Sequence, residues 1–404
     1  MGFDARRGAA PRRPPPPLDP ALTQRLLLVG AGHAHAQVLR EWIAAPVPGV
    51  DLVLVSPSSL APYSGMVPGW LAGVYRFDEI CIDFAALAAA AGARLLIDEL
   101  VALDPDRRQA HLASGQVLGY DLLSLNVGST LRPPPLAGPG QVLALRPLGE
   151  LRQRWESLLA NPALAQRRQP LRITAVGGGA AGVEALLAVL ACLRQRHPGQ
   201  AMTGRLVTRG ALLPGMAAGA RRAALAALAA ADAQVLTDTA FDAGSPQDAP
   251  DLLLWATGAQ SHAWQASSGL AVSAGGFIGV NARLQSLSHP QVLAVGDCAH
   301  FTDRVETPLP KAGVFAVRMG PVLSHNLRAL LFGQALQRYR PQRRYLALLA
   351  TADGRAIGAW SGLAAQGRWL WHWKDRIDRG FLARFALPGP GAAGQHRSAN
   401  GEPP

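Results

Sequence analysis

The sequence predicts an α/β fold built on two β-turn-α-β units, and three observations predict it. An apolar strand, Leu26–Val29, runs into Gly30, Ala31 and Gly32 and then into a helix over 33–43. A second strand, Leu171–Val176, runs into Gly177-x-Gly179-x-x-Gly182 and a strongly apolar helix. Each unit is followed by another apolar strand, "VDLVLV" (Val50–Val55) after the first and "GRLVTRG" after the second, at the spacing a mononucleotide fold needs.

The glycines have the same physical use in both units. They let the backbone turn sharply and approach a pyrophosphate, while the free amides and positive dipole end of the helix favour the phosphates. The third glycine serves helix–strand packing. In the first unit that position is His35, so the loop reads "GAGHAH". His33 and His35 would need further ligands to hold a metal, and none cluster nearby in the sequence, so no metal is expected. They either pack or cap the helix start, or they support the bound nucleotide.

Composition narrows the class. The 404 residues suffice for two or three domains, and 49 % are apolar, enough for a large core. No apolar run reaches the roughly 18–20 residues of a membrane span. The alanine-rich stretches "FAALAAAAGARLL" and "RRAALAALAAA" read as packed helices. Residues 1–23 are rich in Arg and Pro, lack the apolar core of a secretory signal, and are expected to be disordered, as is the tail 389–404. The net charge is +12 and almost all of it is arginine, since Lys311 and Lys374 are the two lysines. The arginines are scattered and not interleaved with aromatics, which argues against nucleic acid and leaves attraction to anionic substrates or membrane surfaces. Cys81, Cys192 and Cys298 form no C-x-x-C, disulfide framework or zinc spacing, consistent with a reducing cytoplasm.

Three further apolar strands stop at small residues: "DLLSLNVGST" (Asp121–Thr130), "DLLLWATGAQ" (Asp251–Gln260) and Val292–Val295, which runs into Gly296-Asp297. With these segments the chain resembles the two-dinucleotide-domain flavoproteins, the pyridine nucleotide oxidoreductases that include type II NADH dehydrogenases and sulfide:quinone reductases. The resemblance implies two Rossmann-like domains, the second inserted in the first. It implies an FAD site on Gly30, Gly32, His33, His35, Gly128, Gly296, Asp297 and Gly313, with Asp297 bonded to the ribitol chain. It implies an NADH or NADPH site on Gly177, Gly179, Gly182 and Gly258, with Ala256–Gly258 linking the domains. The expected boundaries are 24–150 with 290–330 for the FAD domain, 165–289 for the nicotinamide domain and 331–388 for a C-terminal segment. "GAGHAH", "SPSSLAPYSGMVPGWLAGVY", "PKAGVFAVRMGPVLSHNLRALL" and "DGRAIGAWSG…GRWLWHWKDRIDRGF" are similar, more narrowly, to the flavoprotein found alone or fused ahead of selenide, water dikinase. There the H-x-H is usual, so the first loop is expected to be a variant FAD loop. No dikinase domain is expected after it.

Departures and candidates follow residue by residue. The ribose-binding acid expected after the first unit is replaced by Ser56, whose hydroxyl is a candidate for part of that role. After the second unit Arg209 stands where NAD-specific sites place an acid, and an arginine there accommodates a 2′-phosphate. A helix from about Lys311 aims its N-terminus at the flavin, and Lys311 adds a positive charge; the alternative is a solvated lysine. Glu184, in "GVE", is placed near flavin and nicotinamide by the resemblance, as a proton relay or as a structural carboxylate. Tyr63, in the turn-rich "PYSGMVPG", reaches the flavin ring or packs in an ordinary turn. No cysteine pair has the spacing of a disulfide reductase, so electrons are expected to leave through the flavin directly.

"RWLWHWKDRIDRGFLARF" (residues 368–385) steps Trp369, Trp373, Ile377, Phe381 and Phe385 by four, an amphipathic helix with an aromatic stripe. It lies on an anionic membrane, covers the FAD domain or forms a homodimer seam. The activity these readings imply is FAD-dependent oxidation of NAD(P)H with a quinone or other small acceptor, in the cytoplasm or peripheral on the inner membrane face. The alternatives are reduction of a selenium species and a non-catalytic flavin-binding partner or sensor.

Overall fold

In the computed structural model, five parallel strands form the first sheet, in the order Val292–Ala294, Leu122–Leu125, Gln24–Val29, Val50–Ser56, Arg94–Ile97. The structure describes residues 24–162, 169–245, 249–303, 308–342 and 344–387; the expected disordered termini lie outside the described residues. Leu26, Leu27 and Leu28 are fully buried, the continuous apolar run of a strand covered on both faces. Helices His33–Ala44 and Gly313–Leu331 pack together on one face. They approach closely because Gly320 has no side chain: a Cβ there would sit 3.0 Å from Gln37 and 3.5 Å from Ala34.

The second sheet is also parallel, ordered Gln141–Ala144, Leu252–Trp255, Leu171–Val176, Met202–Val207, Ala233–Leu236. In both sheets the strand order reverses beside the strand that leads into the glycine loop, which is where an open α/β sheet leaves a crevice for a ligand. The sheets have separate apolar cores. Two chain crossings join them, and these pair with each other: Thr130 and Gln260 exchange both backbone hydrogen bonds at 2.9 Å. Gly128 and Gly258, each two residues before that pair, both hold φ at +73°, a left-handed turn that favours glycine.

The crossings correct the sequence-read boundaries. Strand Gln141–Ala144 already belongs to the second sheet, ahead of the boundary at 150. After the return crossing, Trp264, Leu270, Ile278 and Leu284 pack in the first core, so the stretch up to 289 belongs with the FAD-side domain. The proline-rich run "LRPPPLAGPG" is the crossing itself, which is why strand periodicity resumes only after it.

A three-stranded antiparallel sheet (Ala347–Ala350, Ala356–Trp360, Leu363–Gly367) leads into helix Arg368–Ala383. Its four-residue series does not form one stripe. At 3.6 residues per turn, each step of four advances about 40° around the axis, so the series spirals. Trp369, Trp373 and Ile377 are 59 %, 43 % and 41 % exposed, whereas Phe381 and Phe385 face inward at 8 % and 6 %. No helix among the described residues is long and apolar enough to cross a membrane.

One buried charge on the first sheet is fully paired. Asp51 accepts from Arg25 at 2.8 Å and from Arg94 at 2.7 Å. Burial pushes its carboxyl pKa up, but the two guanidinium groups outweigh that and hold it below the usual range. A depressed folded-state pKa contributes stability above the unfolded value near ~3.9, lost as pH falls through the folded value. Asp51→Asn should therefore cost about 3 kcal/mol in chemical denaturation at pH 7. The difference from the unsubstituted protein should shrink below about pH 4.

Candidate active site between the two glycine loops

The first loop is shaped by Asn126, at the end of strand Leu122–Leu125. A Cβ on Gly32 would lie 2.0 Å from the Asn126 Oδ1, and one on Gly30 would lie 2.5 Å from its backbone oxygen. Asn126 Oδ1 accepts from the amides of Ala34 (3.2 Å) and His35 (3.4 Å), and its Nδ2 donates to the Val295 carbonyl (3.0 Å). It thus takes two of the amides a helix start leaves unpaired. The amides of Gly32 and His33 have no partner among the described residues and are available to an anion.

His35 explains how the loop works without its third glycine. In the second unit a Cβ on Gly182 would sit 2.0 Å from the Gly177 carbonyl oxygen, so that position must be glycine. The equivalent carbonyl in the first unit is that of Gly30, and His35 Nδ1 donates to it at 2.6 Å. Nε2 then accepts from the Ser124 hydroxyl at 2.8 Å. A clash is replaced by a hydrogen bond. Burial lowers the His35 pKa to about 4, and the bond to Gly30 opposes this, so the ring is neutral. His35 is fully buried and braces the loop from beneath.

The second loop is complete. Gly177 holds φ at +128° and donates to the Val207 carbonyl (2.9 Å), and the Gly178 carbonyl accepts from Leu213 (2.7 Å). Gly179 caps helix Ala180–Arg196 with open space where a Cβ would be. Thr208 comes just after strand Met202–Val207, its hydroxyl 2.7 Å from where a Gly178 Cβ would sit, and the exposed Arg209 follows it. No acid stands there.

Asp297 follows Gly296, which holds φ at +71° against Asn126. Its carboxylate accepts from Arg146 and, at 3.4 Å, from the Ser129 hydroxyl. Arg146 comes from the strand end of the second sheet and also donates to the Lys311 carbonyl at 3.1 Å. Helix Gly313–Leu331 starts two residues later than the sequence suggested, with Ala312 as its cap. Lys311 is therefore outside the first turn, and its ammonium turns away from it. Nζ donates to the Ala299 carbonyl at 2.6 Å and lies 3.8 Å from the centre of the Phe277 ring; burial lowers its pKa. In this structure Lys311 is a local tether.

Ser56 is likewise engaged locally. Its hydroxyl donates to the Ser58 carbonyl at 2.8 Å within its own turn. By contrast, His33, Tyr63 and Gly313 come together. The His33 ring lies edge-on to Tyr63 (5.3 Å between centres) and to Phe381 (5.8 Å). A Cβ on Gly313 would be 3.0 Å from Ser64 Oγ and 3.8 Å from the His33 ring. Burial lowers the His33 pKa to about 4, against the pull of Asp297.

Glu184 reaches the C-terminal segment, accepting from the Ala350 amide at 2.7 Å. Burial pushes its pKa up to about 7, while Lys374 and the Ala350 amide oppose the rise. Lys374 and Asp378 are both 5 % exposed, on the inward face of helix Arg368–Ala383. Lys374 Nζ donates to Asp378 Oδ2 and to the Gly65 carbonyl, both at 2.6 Å. As functional groups, sequence reading missed Lys374, Asp378, Asn126 and Arg146. The i, i+4 spacing of Lys374 and Asp378 was the available signal for that pair; the other two depend on contacts made across more than 90 residues.

Cys192 and Cys298 are buried and Cys81 partly so; none is bonded to another. Burial raises Cys81 to about 12 and Cys298 to about 11, so both are protonated thiols. Among the described residues no group of three or more His, Cys, Asp or Glu is arranged to hold a metal ion.

If the His35 brace is what makes the variant loop stable, His35→Ala should lower stability by about 3 kcal/mol, because it empties a buried site and leaves the Gly30 carbonyl and the Ser124 hydroxyl unpaired. Thermal denaturation of the two proteins side by side measures this.

Both loops fit the diphosphate of a dinucleotide: each helix is capped by a glycine that offers no side-chain oxygen of its own, and each loop has a cradle that a Cβ would fill at its first glycine. The family model of the pyridine nucleotide-disulphide oxidoreductases matches residues 24–320. A demethylphylloquinone reductase of Synechocystis is 28 % identical over 293 residues, covering 67 % of this chain and 70 % of that protein. The sulfide:quinone oxidoreductase of Aquifex aeolicus superposes with a TM-score of 0.72 at 16 % identity, covering 90 % of this chain and 91 % of that one. NDH2 of Plasmodium falciparum, solved in complex with NADH, superposes with a TM-score of 0.70 at 13 % identity, covering 90 % and 97 %. The chain belongs to the pyridine nucleotide-disulphide oxidoreductase family and is an FAD-dependent oxidoreductase of nicotinamide nucleotides.

Proposed function

We propose that the chain passes two electrons from NADPH through FAD to a quinone, without a redox-active disulfide. The observation that carries this reading is the meeting of His33, Tyr63 and the start of helix Gly313–Leu331 beside the first glycine cradle, with no cysteine pair among them. Gly30, Gly32 and His33 would hold the FAD diphosphate through backbone amides, with Gly128 at the crossing beside them, and Asp297 the ribitol chain. The amide end of helix Gly313–Leu331 supplies partial positive charge on that side. FAD, when bound, takes up a hydride and releases electron pairs. Gly177, Gly179 and Gly182 would hold the nicotinamide nucleotide diphosphate, with Gly258 at the return crossing. Thr208 and Arg209 favour a 2′-phosphate, because no carboxylate repels it and a guanidinium can bind it. Glu184, with a pKa of about 7, can hold or release a proton at neutral pH.

The quinone is supported by the names of two of the proteins the chain is similar to, a demethylphylloquinone reductase and a sulfide:quinone oxidoreductase. Trp360, Leu363, Trp369 and Trp373 are exposed on adjoining elements, and the net charge is +12; both support seating on an anionic bilayer rather than a dimer seam. A selenium species is the second acceptor reading. It is favoured by the "GAGHAH" loop and the C-terminal motifs that resemble the flavoprotein of selenide, water dikinase. Turnover assays with NADPH, a soluble benzoquinone and selenite separate the two, since each reading expects reaction with its own acceptor.

Arg209→Ala should lower the preference for NADPH over NADH about tenfold or more, the worth of one charged hydrogen bond, in kcat/KM for the two donors. A raised carboxyl pKa means the folded state binds the extra proton, so stability falls as pH rises from about 4.3 to about 7. Glu184→Gln should remove that fall, as seen in denaturation midpoints across the same range.

A further inference from the structure

The C-terminal helix turns a charged face inward. Leu370, Lys374, Asp378 and Phe381 are its buried residues, and the two charged ones sit between the two apolar ones. A buried ion pair is seldom kept for stability alone, because apolar residues of similar volume often stabilise as well or better. This pair is not isolated. Burial and the neighbouring Asp378 hold the Tyr63 hydroxyl above its usual pKa, and Tyr63 packs 4.5 Å from the Phe381 ring centre and edge-on to His33 at the glycine loop. Lys374 also binds the carbonyl of Gly65, two residues after Tyr63. From the second domain, Glu184 feels both Lys374 and Asp378. Asp375 acts on Asp378, and Arg384 acts on Tyr63, from the same helix.

We propose that Lys374, Asp378 and Tyr63 form the proton-delivery path for the acceptor half of the reaction, with Tyr63 as the donor to the acceptor oxygen. This rests on the quinone reading above. NADPH yields a hydride, which is two electrons and one proton. A quinone needs two electrons and two protons to become a quinol, so the second proton comes from water. In the delivery step the Tyr63 O–H bond breaks as an O–H bond forms on the quinone oxygen. The Tyr63 oxygen recovers a proton that crosses Asp378 from the Lys374 ammonium, and Lys374 is recharged from solvent. Burial raises the Asp378 pKa, with Lys374 opposing the rise, which lets a proton rest there in transit.

The test separates electron from proton transfer. The FAD-loaded full chain is reduced with dithionite, which makes the test independent of the nicotinamide reading. It is then mixed with a soluble benzoquinone or with ferricyanide, which takes electrons without protons. Flavin absorbance reports reoxidation. Tyr63→Phe and Asp378→Asn should slow reoxidation by the quinone about 10²-fold or more, with ferricyanide affected far less. Equal slowing by both acceptors, or no slowing, overturns the proposal and leaves the quinone reading standing. If the unsubstituted protein is reoxidised by ferricyanide but not by quinone, the quinone reading fails and the proposal falls with it. If a variant does not fold or hold flavin, the unsubstituted protein carries the test. Its quinone reaction should show a solvent deuterium isotope effect absent with ferricyanide, and the lack of that effect overturns the proposal.

Discussion

The side chain of Asn126 lies where three strand ends meet, and its hydrogen bonds join the first glycine loop, the helix it opens and the end of strand Val292–Ala294. Gly30, Gly32 and Gly296 are all glycines because Asn126 occupies the space beside them. Strand Val292–Ala294 leads through Gly296 into Asp297, so the same side chain shapes both the first glycine loop and the approach to Asp297. Remove it, and two helix amides and one carbonyl lose their partner inside a buried region. The parallel sheet sets where the crevice opens; Asn126 sets its shape.

The second constraint is that no single domain owns the proposed reaction site. Tyr63 comes from the first domain, Glu184 from the second and Asp378 from the C-terminal helix. Arg146 reaches from the second sheet to Asp297 in the first domain. Such a site tolerates little relative movement of its parts. The paired crossings at Thr130 and Gln260 and the buried Lys374–Asp378 pair supply the required rigidity, while the outer face of the same C-terminal helix is left aromatic and exposed. One helix thus presents polar groups to the site and an apolar ledge to the exterior, the reverse of the usual arrangement on a globular surface.

Most of the architecture was legible in the sequence. Glycine loops preceded by apolar strands carry their own geometry, and both were placed to within a residue. What could not be read depends on distance or rotation. A histidine in place of the third glycine signalled a variant loop, but the carbonyl it would bond was a tertiary fact. Lys311 looked like a charge at a helix start, and two residues of delay in that start were enough to redirect it. The aromatic series on the last helix was read as one stripe because four-residue steps look in register. The accumulated rotation carries Phe381 about 120° from Trp369, and Phe385 lies past the helix's end. The domain boundaries were blurred by a proline-rich crossing, which has no periodicity to read.

The measurement that tests the central claim most directly is an anaerobic titration of the purified yellow protein with NADPH, followed at the flavin absorption band. Electron transfer through flavin alone predicts complete bleaching at one equivalent of NADPH per FAD. Two equivalents would reveal a second two-electron centre, which a cysteine pair would provide, and would contradict the account. No bleaching by NADPH or NADH, or a colourless protein that takes up no FAD, would contradict it more deeply still.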